Sequence, residues 1–226
     1  MKRNKKSKIP VILFLIGIGV ILFIGYRIYR KPYDEADKRN TYENNLIDDY
    51  LNDDSQNPSN EPENAGNDET PVEYQYSDVD DYTFTGSIDC ILVIDKINLK
   101  KAVIRGNTLS DNDLNLSKYY FVTSDLTTTL SGNYIIYGHS SQTYGHSFNR
   151  LDEMAVGDTF YILQNKVRYD YRVETVDRAL RSESKPYFPN MANRVTLVSC
   201  EKYLAPGYAQ KRVIIVRAVQ ISSIAQ

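Results

Sequence analysis

The sequence predicts an all-β domain, a closed eight-stranded β-barrel with one or two short helices, preceded by a single transmembrane helix and a disordered linker. Three observations carry this expectation. After Gly86 come about eight short runs rich in Val, Ile, Tyr, Phe and Thr, separated by turn-forming residues. Near the N-terminus, Ile9 to Tyr26 is an uncharged, mostly apolar stretch of 18 residues. Between the two, from Asn40 to Asp95, there is no Lys or Arg at all.

The N-terminal segment, residues 1–31, reads as a basic cytoplasmic tip and a membrane anchor. Eighteen residues just suffice to cross a bilayer as helix, which takes roughly 17 to 25. A cleaved signal peptide has a shorter apolar core and a small-residue cleavage site. Here "YRIYRK" follows instead, so the anchor is expected to stay. Lys2, Arg3, Lys5, Lys6 and Lys8 precede the stretch, against Arg27, Arg30 and Lys31 after it. That excess places the N-terminus in the cytoplasm and the bulk of the chain outside the cell.

Residues 32–82 read as an acidic, disordered stalk. "NDDSQNPSNEPENAGNDETP" buries too little apolar surface to offset the entropy of ordering it. The weak apolar patch "LIDDYL" predicts no more than a helical turn.

Residues 83–226 form the expected domain. Its candidate strands are "IDCILVID", "KKAVIRG", "YYFVTS", "NYIIYGH", "DTFYILQN", "VRYDYRVETV", "VTLVSC" and "RVIIVRAV". In the sixth, Tyr169, Tyr171 and Val173 alternate with polar residues, the period of a half-buried strand. Two stretches look helical: Leu109 to Leu116, with Ser110 as N-cap, and Ser147 to Met154, with Phe148 and Leu151 three apart. Short strands at this spacing indicate a sandwich or a barrel; the barrel is preferred because closure removes exposed edges.

The net charge of −2 conceals an asymmetry. From Lys96 onward 17 Lys/Arg face 11 Asp/Glu, so the domain is mildly basic, as suits a cell-wall or anionic-membrane setting. No basic run with interleaved aromatics argues for nucleic acid.

Few residues are available for chemistry. The only histidines, His139 and His146, lie at the end of a strand and in the polar loop after it. A zinc site that joins them to Cys200 finds no support in the spacing, so no metal and no cofactor is predicted. Cys200 closes an apolar strand and is followed at once by "EKY", which places it at a rim. On pattern alone three readings stand: a nucleophile, a disulfide with Cys90, and an inert buried thiol.

At these residues the chain resembles a known family. "TLVSC" at 196–200 resembles the Thr-Leu-x-Thr-Cys strand of sortases, the membrane-anchored cysteine transpeptidases of Gram-positive bacteria. "YIIYGHS" at 134–140 is similar to their histidine strand, and "QKRVIIVRA" at 210–218 to the strand that opens with their essential arginine. "ILVIDKINLKKAVIRG" at 91–106 resembles their opening strand pair. Ser199 stands where the family usually has threonine. The short stretch before "VTLVSC" lacks the helix-bearing insertion of class B sortases, while "VIDKIN" and "YGHS" lean toward that class, so the motifs are class B-like or class D-like without settling the subclass.

The resemblance implies a sortase-type barrel and a reaction. A C-terminal LPxTG-like sorting signal of a surface protein is cleaved through a thioacyl intermediate on Cys200. The protein then passes to an amine of a peptidoglycan precursor or a pilin. His139 protonates the leaving amine, and Arg212 holds substrate and the developing oxyanion. Arg217, five residues on, faces the opposite side from Arg212 and is expected to be a solvated surface charge. Arg178 and Arg181, in the loop expected before the cysteine strand, are outside candidates. Val198 and Ser199 are expected to line the substrate groove, with Tyr187 and Tyr203 flanking it. The readings set against this one are a plain cysteine peptidase and a non-catalytic surface module with a Cys90–Cys200 disulfide.

Overall fold

The computed structural model describes residues 9–53, 84–117, 121–140, 148–184, 188, 191–201 and 212–225, apart from the side chains of 9–13 and 32. All eight expected strands form: β1 (Ser87–Ile94), β2 (Leu99–Arg105), β3 (Val122–Ser124), β4 (Asn133–Tyr137), β5 (Thr159–Gln164), β6 (Val167–Leu180), β7 (Arg194–Cys200) and β8 (Arg212–Ala225). They close into a barrel in the order β1-β2-β3-β4-β7-β8-β6-β5. Two neighbour pairs, β2/β3 and β4/β7, run parallel. A parallel pair needs a crossover connection, and the helix α2 (Leu109–Ser117) supplies the first one.

Strand alternation sends Leu92, Ile94, Val103, Tyr134, Ile136, Leu197, Ile214 and Val216 into one buried core, with Phe160 stacked on Tyr171. Cys90 belongs to that core. Its Sγ lies 3.6 Å from the Tyr134 hydroxyl. Burial pushes its thiol well above the ordinary range, and the charge of neighbouring Asp89 pushes the same way. Both cysteines are free, so a Cys90–Cys200 disulfide is absent from this fold.

Two helical expectations need correction. The cap of α2 is Thr108, not Ser110: Thr108 Oγ1 accepts from Asp111 N–H at 3.2 Å, while Asp111 Oδ2 accepts from Thr108 N–H at 2.9 Å. This reciprocal pair is the short-armed version of a capping box, with Asp in the place of Glu. The second helix shrinks to one 3-10 turn, Leu151–Glu153. Phe148 and Leu151 are nevertheless both buried, as their spacing implied; residues 141–147 lie outside the described residues.

The expected boundary at residue 32 is crossed by one long helix, α1 (Ile9–Asn52). Its second half is not a free stalk. Tyr42, Leu46, Ile47 and Tyr50 pack with Ile91, Val93, Ala102, Ile104 and Phe121 into an apolar cluster on the outer face of β1 and β2. Glu43, 5% exposed, accepts from the Ala102 backbone N–H at 3.1 Å and from Lys101 Nζ at 2.6 Å. Apolar residues at i, i+4, i+5 and i+8 make an amphipathic stripe, which the acidic composition around it concealed. Residues 54–82 of the expected stalk, and residue 83, lie outside the described residues. Among the described residues no helix is long and apolar enough to cross a membrane.

Candidate active site

Because β4 and β7 are parallel neighbours, they carry their C-terminal ends to the same rim. Tyr137 stands beside Val198 in the register, and the Gly138 N–H donates to the Val198 carbonyl at 3.0 Å, one residue beyond β4. Continuing that register brings His139 level with Cys200. The two residues lie 61 apart in sequence and are brought together by pairing alone.

Gly138 lets Phe148 pack against the end of β4. A Cβ there would sit 2.3 Å from the Phe148 ring. Phe148 in turn donates its N–H to the His139 carbonyl at 2.8 Å, which fixes the backbone of the histidine. Ser199 contributes from the other side. It is buried, and its hydroxyl donates to the Gly138 carbonyl at 3.0 Å. Expected in the substrate groove, Ser199 instead points inward and ties β7 to the end of β4. Alternation along β7 explains this, since Leu197 and Ser199 share one face while Val198 and Cys200 share the other.

His139 is half-buried, and that burial lowers its pKa below the usual imidazole value, so the neutral ring is favoured. Cys200 is partly exposed on a cleft with about 330 Å³ of empty volume. Ser140, Phe148, Asp152, Arg178, Glu201 and Ile214 line it with the thiol.

A thiol at the rim of a closed barrel, on a strand parallel to one that ends in histidine, now meets the comparison with known families. The Sortase domain model matches residues 92–220, more than half of the chain. This chain belongs to the sortase family. Similar solved structures include sortase A from Listeria monocytogenes, at 17% identity and a TM-score of 0.51 over 62% of this chain and 90% of that one. Sortase A from Corynebacterium diphtheriae matches at 18% identity and 0.50, over 61% of this chain and 62% of that one. Sortase C1 of GBS Pilus Island 1 matches at 20% and 0.50, over 61% and 66%. At these identities the likeness is one of fold. No curated protein matches the chain.

The arginines of this sortase are arranged differently from the expectation. Arg212 opens β8, as the motif implied, but its Nε donates to Glu201 Oε2 at 2.7 Å. Arg178 lies within β6 and not in a loop, and its Nε pairs with Glu201 Oε1 at 3.2 Å. Arg181 opens the 3-10 turn after β6 and donates from a terminal guanidinium nitrogen to Cys200 Sγ at 3.2 Å. Arg217 is no solvated surface charge: it donates to Thr175 Oγ1 at 2.9 Å and pairs with Asp177 at 3.2 Å.

Beside Cys200 on the outer face lies an apolar patch. Ile135, Ala179, Val198, Val213 and Ile215 are buried there, with Tyr137 and Phe188 packed against them. Val198 is thus where the two-residue spacing from Cys200 placed it. Its four buried partners, on three other strands, went unnoticed in the sequence, because only the register β4-β7-β8-β6 gathers them. Tyr187, Tyr203 and His146 lie outside the described residues.

Proposed function

We propose that this sortase is a transpeptidase for an LPxTG-like C-terminal sorting signal. The observation that carries the reading is the β4/β7 register, which ends both strands at one rim and sets His139 level with Cys200, next to an apolar patch and a cleft. Cys200 Sγ attacks the threonine carbonyl carbon, and its proton passes to the neutral His139 ring. His139 then protonates the leaving amine as the peptide C–N bond breaks, leaving a thioester on Cys200. An acceptor amine from a peptidoglycan precursor or a pilin attacks that thioester, forms the new amide and regenerates the thiol. Arg212 exchanges Glu201 for the substrate and the developing oxyanion, a charged hydrogen bond aimed where negative charge grows. Val198 and its neighbours receive the apolar residues of the signal, and Tyr187 and Tyr203 flank it. No cofactor enters this scheme.

The chain works outside the cell, held by a single N-terminal span with its tip in the cytoplasm. The described side chains of α1 reach Arg27 only 13 residues after Phe14. Counted from Ile9, the uncharged stretch is 18 residues, within the roughly 17 to 25 a span takes. Phe14, Leu15, Ile21, Leu22 and Phe23 are each more than half exposed, as lipid-facing residues are when no protein covers them.

The test is to incubate the full chain with sorting-signal peptides and an amine acceptor, and to weigh protein and products. A Cys200 adduct that decays as ligated peptide accumulates is the expected result. Replacement of Cys200, His139 or Arg212 by Ala is expected to abolish most ligation, with His139→Ala costing about 10²–10⁴-fold. Peptide cleavage without ligation at saturating amine would make the protein a plain cysteine peptidase.

A further inference from the structure

Four charged side chains gather around Cys200, and they do not share the thiol equally. Glu201 follows Cys200 in sequence, one residue past the end of β7, and lines the same cleft. Arg212 lies opposite Glu201, whose N–H donates to the Arg212 carbonyl at 3.1 Å, and its guanidinium pairs with the Glu201 carboxylate. Glu201 then uses one oxygen for Arg212 at 2.7 Å and the other for Arg178 at 3.2 Å. Arg181 approaches from another wall. It follows Leu180, the residue that pairs with Arg212 across β6 and β8, and places a guanidinium nitrogen 3.2 Å from Sγ.

The geometry points to Arg181 as the catalytic residue that holds the Cys200 thiolate once its proton has passed to His139, with Glu201 as a positioning residue that engages Arg212 and Arg178. This rests on Cys200 being the nucleophile. A thiolate is stabilised by an adjacent cation, and arginine stays charged at every working pH. Burial of His139, just past the end of β4, lowers its pKa and disfavours its cation. Asp152, from the Leu151–Glu153 turn, faces the same cleft and opposes an anion there. A cation in contact with the sulfur is the group that remains. The division of labour leaves Arg212 for the substrate, while Arg181 serves the free enzyme.

The test is the rate of Cys200 alkylation by iodoacetamide in the full chain, read across pH by peptide mapping. Buried Cys90 is mapped as a separate peptide. Arg181→Ala is expected to slow alkylation at pH 7 by about tenfold and to match the parent at a pH high enough to ionise any free thiol. Arg181→Lys restores most of the rate, which a merely structural role for the side chain would not predict. Arg212→Ala is expected to alkylate at the parent rate at pH 7 while losing ligation. Thermal melts establish that each variant is folded, and Arg181→Gln, closer in length, replaces Arg181→Ala should the latter melt early. Equal alkylation in Arg181→Ala and the parent would overturn the proposal, as would a loss in Arg212→Ala as large as that in Arg181→Ala. Alkylation needs no sorting signal, so failure to ligate any peptide defeats the transpeptidase reading without touching this result.

Discussion

Gly138 has no chemistry of its own, yet the site depends on its hydrogen. With a Cβ only 2.3 Å from the Phe148 ring, Gly138→Ala must push apart the residues that orient His139. The expected cost is about 1–3 kcal/mol in stability. A displacement near 1 Å at the imidazole is expected to cost roughly a hundredfold in ligation. Urea unfolding and ligation rates measured on one preparation check both, and unchanged ligation would separate Phe148 from the placement of His139. The histidine also sets a pH dependence. Its folded pKa lies below its unfolded value because burial disfavours the cation. The unfolded chain therefore binds more protons than the folded one as pH falls through about 6.5, and stability declines over that range. Asp158 and Asp170 titrate far lower. Each is partly opposed by burial but held down, Asp158 by Lys96 and the Ala155 N–H, Asp170 by Ser222 and Arg168. Urea midpoints at pH 7.5 and 5.5 are expected to fall in the parent and to fall less in His139→Gln.

At the scale of elements, α1 and β7 show opposite ways in which a strand or helix acquires a task. β7 is a plain apolar strand whose last residue emerges at a rim, where parallel pairing with β4 supplies the histidine. α1 is acidic over its second half, but one face of it closes over β1 and β2. Its key polar contact is Glu43, which accepts the N–H of Ala102 and pairs with Lys101. Glu43→Ala leaves a buried donor and a partly buried ammonium without their carboxylate. The expected loss is about 1–3 kcal/mol, read as a lower urea midpoint with ligation unchanged once the protein is folded. A midpoint equal to the parent's would show that the Glu43 contacts contribute nothing to stability. The docking also has a consequence for reach, since a helix fixed to the barrel holds it at a set distance from whatever the helix enters.

Across the whole molecule, the barrel was legible because each strand announced itself. Runs of Val, Ile and Tyr between turn residues have few alternatives, and all eight appear, with β6 and β8 running past their expected ends to Leu180 and Ala225. Cys200 and His139 were legible for a related reason: each ends such a run, where a strand must meet solvent. The second half of α1 was not, since its stripe of four apolar residues was diluted by Asp, Glu and Asn that face water. Arg181 was legible only as an outside candidate. It lies 19 residues from Cys200, and only the pairing of β6 with β8, and of β8 with β7, brings the two side by side. What this sequence determined by itself is which segments become strands and which residues stand at their ends, because local pattern and turn chemistry decide both. Which charge reaches the sulfur was decided by the tertiary structure alone, because a one-residue step along a strand reverses the face, and the register across three strands sets which guanidinium shares a side with the thiol.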